Sequence, residues 1–450
     1  MEVDSPDKIP RKQASYHSLD EPFVIQKETY GGQQYSQIYF ARLQLLRALL
    51  RPLVTSWKPH VPICNVLGIE RGKECIVVGT LYKHMKLKPS VLDEYSKERS
   101  ATPITIPHKF MHQDDYLVLE DESGRVKLGG SFLLPSQYVT GVVVSLLGSE
   151  ADAGYFHVDD VLEAGLPSQL EMPLKSGENK YVVLISGLNV GNSTSNPLQY
   201  QLLVDHITGH LGDKQAQGMA AQIVHLVIAG NSVEIPHGLL NKQNLASTDQ
   251  SRIAEPIKEL DMILTEIAAG LPLDIMPGPN DPANFSLPQK PLNRCLFPSS
   301  ATYNTFRSCP NPHSFEIDGV KFLGTSGQNI DDLEKYSEGR DKLEFMERTL
   351  RWRHLAPTAP NTLGCYPFID TDPFLIKSCP HVYFIGNQEK YDTKLIKGTA
   401  EGFSSRGYYK AASAKTPQLS WYWHLSSWAH HMGTSRNMMY GMALGSLQCS

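Results

Sequence analysis

Two short stretches constrain this chain most: Tyr181–Ile185 (YVVLI) and Ile223–Ile228 (IVHLVI) are continuously apolar. A strand with one wet face alternates, whereas an unbroken apolar run belongs to a strand buried on both faces. Between the two runs, Leu198–Leu211 has helical character, and a second helix is expected over Ile253–Ala269, with Ile257, Leu260, Ile263, Leu264 and Ile267 on one side. Leu273–Met276, Val320–Leu323 and Val382–Ile385 read as further short strands ending in glycine-rich turns. Strand, helix and strand in succession specify a layered α/β domain. In such domains the functional loops lie beyond the carboxyl ends of the strands.

The preceding part of the chain follows a different rhythm. Ile38, Leu45, Leu46, Leu49, Leu50 and Leu53 recur at helical spacing with Arg42, Arg47 and Arg51 between them, and Pro52 is expected to close that helix. Lys73–Lys83, Tyr116–Leu119, Arg125–Leu128, Val139–Leu147 and Tyr155–Val158 then read as five short strands. Five strands with glycine-broken turns fit a small closed barrel of the OB type. The polar stretch between Tyr82 and Tyr116, with Pro89, Pro103 and Pro107, reads as a long loop leaving the barrel. An OB barrel that binds single strands needs exposed aromatics beside a basic groove. Tyr82, Lys83, Lys86 and Lys88 supply cations with few interleaved aromatics, so this segment reads as a solvated loop.

Composition narrows the function classes. A formal net charge of −5 argues against attraction of nucleic acid to the whole surface. The seven cysteines are scattered without a CxxC pair, which supports neither a zinc ribbon nor a disulfide framework and suits a reducing compartment. The start MEVDSPDKIPRKQ has no apolar core of a secretory signal, and no run of about 18 apolar residues suggests a membrane span. Residues 1–33, polar and aperiodic, are expected to be a flexible lead-in.

Five strand-end loops are where chemistry is expected: Ser186–Gly191, Ala229–Ser232, Pro277–Asp281, Gly324–Asn329 and Ile385–Gln388. Their order and spacing resemble the calcineurin-like metallophosphoesterases, whose loops carry Asp, His and Asn ligands for two metal ions. The resemblance places Gly187, Asn189, Asn231, Pro279, Asn280 and Asn387 at ligand positions. Glycine and proline side chains bind no metal, and a neutral amide binds a dication weakly. Asp281 and Glu389 remain, too few to assemble a dinuclear centre. His206 and His210 have metal-pair spacing but lack the accompanying Glu, and His225 reads as a packed, hydrogen-bonded residue. The resemblance therefore implies a degenerate site with no catalytic residue, metal or cofactor.

An OB barrel followed by a degenerate phosphoesterase domain resembles the B-subunits of eukaryotic replicative DNA polymerases, the delta branch most closely. The strings that carry this are Pro107–Leu128, Tyr181–Gly191, Leu271–Asn284, Gln289–Pro298, Asn311–Asp332 and His354–Phe368. The implied fold is α/β plus β, an OB barrel packed on an inactive β-sandwich with flanking helices. The implied organisation is a helix and OB domain over 34–165, a phosphoesterase-like domain over 175–400 and an atypical tail over 401–450. The implied role is a nuclear, non-catalytic scaffold. Its partners would be the C-terminal domain of the catalytic subunit, the third subunit and the smallest subunit, with DNA touched at most indirectly. A metal-dependent phosphoesterase or nuclease and a single-strand DNA-binding module are the alternatives. The tail stands apart: residues 402–450 hold no Asp or Glu but three of the five tryptophans and four of the twelve methionines. That shift suggests an alternative exon or shifted frame, and a chain lacking the strands that finish its core.

Overall fold

The computed structural model describes residues 9–25, 31–88, 108–151, 154–168, 179–193, 196–235, 247–397, 408–413 and 421–424. In chain order the first elements are β1 (Tyr16–Ser18), α1 (Tyr35–Trp57), β2 (Ile63–Cys64), β3 (Cys75–His84), β4 (Tyr116–Glu120), β5 (Arg125–Gly129), β6 (Val143–Glu150) and β7 (Tyr155–Leu162). Then come β8 (Tyr181–Ile185), α2 (Pro197–Thr208), α3 (Lys214–Ala220), β9 (Ile223–Ala229), α4 (Ser247–Gly270), β10 (Leu273–Met276), β11 (Phe306–Ser308), β12 (His313–Ile317) and β13 (Val320–Thr325). The remainder are α5 (Gln328–Tyr336), α6 (Lys342–Arg351), β14 (Val382–Ile385), β15 (Asp392–Lys397), β16 (Tyr408–Ser413) and β17 (Trp421–His424). These elements form two compact units, residues 28–169 with 328–379, and residues 1–27 with 170–327 and 380–450.

In the first unit β3 pairs with both β4 and β6, so the order β3-β4-β5-β7-β6 returns on itself as a closed barrel. Closure removes the open sheet edges that would otherwise template aggregation. Helix α1 buries Leu43, Leu46 and Leu50 against Val78, Val143 and Ala164. Each buried leucine contributes about 2 kcal/mol. The helix does not stop at Pro52 but runs on to Trp57. Val54, buried with Ile76 and Leu147, holds the last turn on the barrel despite the amide proline lacks. The fully buried Arg42 projects from the same helix face, where Asp372 and the carbonyls of Gly141, Pro357 and Ala359 receive its guanidinium. Residues 328–379 thus complete this unit's polar core. Pro89, Pro103 and Pro107 lie outside the described residues.

The second unit has three layers. Strands β8, β9, β10 and β11 run parallel, and every residue of β9 is buried, as its unbroken apolar run requires. One face of this sheet, with Val183, Ile185, Leu226, Ile228 and Ile275, is covered by Tyr200, Val204, Ile207, Leu260, Leu264 and Ile267 of α2 and α4. The opposite face, with Val182, Leu184, Val224, Val227 and Met276, meets Phe315, Ile317, Phe322, Val382 and Phe384 of a second sheet. That sheet has the order β1-β12-β13-β14-β16-β15.

Residues 9–25 are not the flexible lead-in expected of them. Strand β1 pairs antiparallel with β12, and Tyr16 stacks on His225 (5.0 Å between centroids) beneath the Arg307 guanidinium. Arg11 donates to the carbonyls of Ile207, Thr208, Ala220 and Ile223, capping the ends of α2 and α3 at once. Two short segments of the atypical tail are described as strands. Strand β16 enters the second sheet between β14 and β15, and β17 pairs antiparallel with β8 at the edge of the first. Among the described residues no helix is long and apolar enough to cross a membrane.

Candidate functional site

The strand-end loops of the second unit meet where β8, β9, β10, β13 and β14 finish, and backbone-level bonds weave them together. Gly187 N donates to Gly230 O (2.9 Å), Asn189 N to Asn231 O (3.0 Å) and Val190 N to Ser232 O (3.0 Å), so the first two loops continue the pairing of β8 with β9. Gly230 has φ +85°, and a Cβ there would stand 2.6 Å from Ser326 Cβ and 2.8 Å from Gly278 Cα. Only glycine admits this three-loop approach.

Asn189, Asn231 and Asn387 all have left-handed backbone, with φ of 48°, 52° and 56°. Asparagine tolerates that region better than other non-glycine residues. Two of the three also brace neighbouring loops. Asn231 Oδ1 accepts from Asn280 N (3.1 Å). Asn387 Nδ2 donates to Ala229 O (3.1 Å) and Ser326 O (2.8 Å), while its backbone N donates to Ser186 Oγ (2.9 Å). Three loops are thereby tied through one side chain. Asn189 Oδ1, Asn387 Oδ1 and Ser232 Oγ are buried without a hydrogen-bond partner, leaving neutral oxygens here. Gly187 offers no side chain, and Pro279 is exposed.

Asp281 is a carboxylate among these loops, and both its oxygens are engaged. Oδ1 accepts from Ser232 N (2.8 Å) and Val233 N (3.1 Å), and Oδ2 from Gly278 N (2.7 Å). Burial pushes its pKa up to about 6 against the pull of those amides. Glu389 is exposed. In the fourth loop, Gln328 and Asn329 open α5 and so leave the cluster for the other unit.

The histidines sort as their surroundings dictate. His210 Nδ1 lies 2.8 Å from Thr208 Oγ1, which makes it part of the turn after α2. His225 is buried in β9 with Nε2 2.7 Å from Asp274 Oδ2. Sequence reading missed what Asp274 gathers: Arg307 at 3.2 Å and His313 at 3.3 Å also reach its carboxylate. No spacing rule links these residues, because four different strands bring them together.

On the barrel, Lys127 Nζ sits 4.2 Å from the Tyr116 ring centroid and 4.9 Å from that of Tyr155, and His84 stacks on Tyr116 at 4.6 Å. Arg125 is paired with Glu120, and Lys86 with Asp114. The aromatic faces and cations of this surface are largely engaged with one another.

Comparison with known proteins agrees with this layout. A family described as the DNA polymerase delta subunit OB-fold domain matches residues 34–161, and one described as the B subunit of DNA polymerase alpha/epsilon matches residues 182–393. The barrel unit therefore contains an OB-fold domain. The chain is 71% identical over 399 residues to the DNA polymerase delta small subunit of Arabidopsis thaliana, covering 89% of this chain and 91% of that one. It is 36% identical over 419 residues to DNA polymerase delta subunit 2 of Drosophila melanogaster, covering 91% and 95%. With the small subunit of Saccharomyces cerevisiae it shares 32% over 429 residues, covering 85% and 86%. The chain belongs to the DNA polymerase delta small-subunit family.

Proposed function

We propose that this chain is a non-catalytic accessory subunit of DNA polymerase delta, a nuclear scaffold for replication and repair synthesis. It bridges the C-terminal domain of the catalytic subunit and the third subunit, with the smallest subunit in the same assembly. The second unit is read as a calcineurin-like phosphoesterase domain that has lost its ligands, supported by two facing sheets, flanking helices and loops clustered at strand ends. The observation that carries the reading is the bonding of those loops. Where a dinuclear centre would need free carboxylates and imidazoles, Asn231 and Asn387 brace the backbone and Asp281 spends both oxygens on amides. A dication entering there would have to break hydrogen bonds that hold the domain together. The engaged aromatics around Lys127 likewise disfavour base stacking on the barrel, so DNA contact is at most indirect.

The test is co-expression with the C-terminal domain of a delta catalytic subunit, followed by size-exclusion chromatography and a manganese-supplemented nuclease assay. Co-elution without metal-dependent cleavage is the expected result. A folded chain that fails to co-elute would overturn the scaffold reading. Cleavage abolished by a chelator would overturn the inactive-site reading.

A further inference from the structure

Away from the loop cluster, three buried side chains of different chemistry converge. Asp20 follows β1, Cys309 follows β11, and His313 opens β12. All three are buried, and each offers one ligand atom within 4.8 Å of the others. Both oxygens of Asp20 face one ring nitrogen, His313 Nδ1, at 2.8 and 3.0 Å. We propose that Asp20, Cys309 and His313 form a Zn²⁺ site that clamps the N-terminal strand onto the second sheet.

Thiolate, imidazole and carboxylate together are a zinc set, and two oxygens from Asp20 bring the donor atoms to four. Drawing them in to bonds of about 2.0–2.3 Å takes side-chain adjustment, since the ligand atoms already lie close. The surroundings are those of a built site. A metal-bound histidine typically gives its other ring N–H to a carboxylate. Here His313 Nε2 faces Asp274 Oδ2 at 3.3 Å, and His225 holds the same oxygen at 2.7 Å. The Asp20 carboxylate is aimed by Ser314 N (2.8 Å) and Ser18 Oγ (2.9 Å).

The exchange is neutral in charge. With carboxylates on both ring nitrogens, metal-free His313 needs both N–H groups and is an imidazolium. Zinc entry releases that proton from Nδ1 and one from the Cys309 thiol. One dication replaces two protons, and the net charge of the buried pocket is unchanged. The ligands come from the N-terminal segment and from both sheets, so the metal would fasten β1 where, among the described residues, β12 alone pairs with it.

The experiment uses the full chain, purified without chelator. Zinc content is measured by mass spectrometry, and binding by competition with a chromophoric chelator. Cobalt substitution reports the thiolate through its charge-transfer band. About one equivalent of zinc is expected. Cys309→Ser should lose the cobalt–thiolate band and weaken zinc binding about 100-fold or more, and Asp20→Asn should weaken it at least 10-fold, while the exposed Cys295→Ser changes neither. Limited proteolysis near Tyr16 should slow on adding zinc to wild type only. Wild type without tight zinc, or a thiolate band that survives Cys309→Ser, overturns the site. If Cys309→Ser fails to fold by circular dichroism, the wild-type cobalt spectrum decides, and absence of a thiolate band overturns the proposal.

Discussion

Arg42 shows how much one side chain can hold. Its guanidinium, with no exposure to solvent, donates to Asp372 Oδ2 (2.7 Å), Ala359 O (2.7 Å), Pro357 O (2.8 Å) and Gly141 O (3.2 Å). Burying a charge is favourable only when it is paired and fully bonded. Arg42→Met should therefore cost about 3–5 kcal/mol in urea unfolding, because it leaves three carbonyls without their donor and Asp372 with only His354 (2.8 Å) and Phe374 N (3.0 Å). Arg42→Met combined with Asp372→Leu should cost less than the two changes summed, since the bond between the two side chains is lost only once. Asn387 poses a different balance. Asn387→Ala loses two donated bonds and strains a φ of 56°, for a cost of about 2–3 kcal/mol. Asn387→Gly removes the strain but not the bond loss, so its cost should fall to about 1–2 kcal/mol. Equal costs for the two would show that the bonds alone matter.

At the scale of elements, β3 and α5 are joined by Lys83. Its ammonium, 1% exposed, donates to Tyr336 O at the end of α5 (2.8 Å) and lies 4.0 Å from Asp115. Burial lowers its pKa to about 8, with Asp115 opposing. Between pH 8 and 10.5 the unfolded chain binds a proton that the folded chain has released, so this group makes stability rise with pH across that window. Below pH 8 both states are charged and the full cost of burial is present. The stability difference between wild type and Lys83→Met should shift toward wild type by a few kcal/mol from pH 8 to 10.5, at about 1.4 kcal/mol per pKa unit. A flat difference would refute the linkage. Lys83 also shows what periodicity leaves unseen. Strand β3 was legible from Lys73–Lys83, and β8, β10 and β14 from their apolar runs, because burial on both faces writes itself into composition. Helices α5 and α6 and strands β1 and β12 were not anticipated, since short mixed-polarity elements owe their burial to distant partners.

At the scale of the whole molecule, the chain visits its two units in an order that local pattern does not reveal. The order of the strand-end loops could be read directly. The amide bracing by Asn231 and Asn387, and the meeting of Asp20 with Cys309 and His313, could not, because each depends on which strands become neighbours. The same limit applies to the contiguous stretch 175–400, from which residues 328–379 depart to join the barrel unit. Those residues supply the Asp372, Pro357 and Ala359 partners of Arg42, the Tyr336 carbonyl for Lys83, and a Tyr336 ring stacked 5.4 Å from Phe110. They also supply Trp352, whose Nε1 donates to Glu163 (2.9 Å). A fragment of residues 28–169 would keep every barrel strand yet deprive Arg42 and Lys83 of these acceptors and Phe110 of its ring partner. Losing these bonds and the apolar cover together removes a large share of the roughly 5–15 kcal/mol that stabilises a typical domain. The isolated fragment should therefore give the broad amide spectrum of an unfolded or molten chain. Joining residues 328–379 to it by a flexible linker should restore dispersed resonances and a cooperative transition. A well-folded 28–169 fragment would show that the barrel needs neither acceptor set.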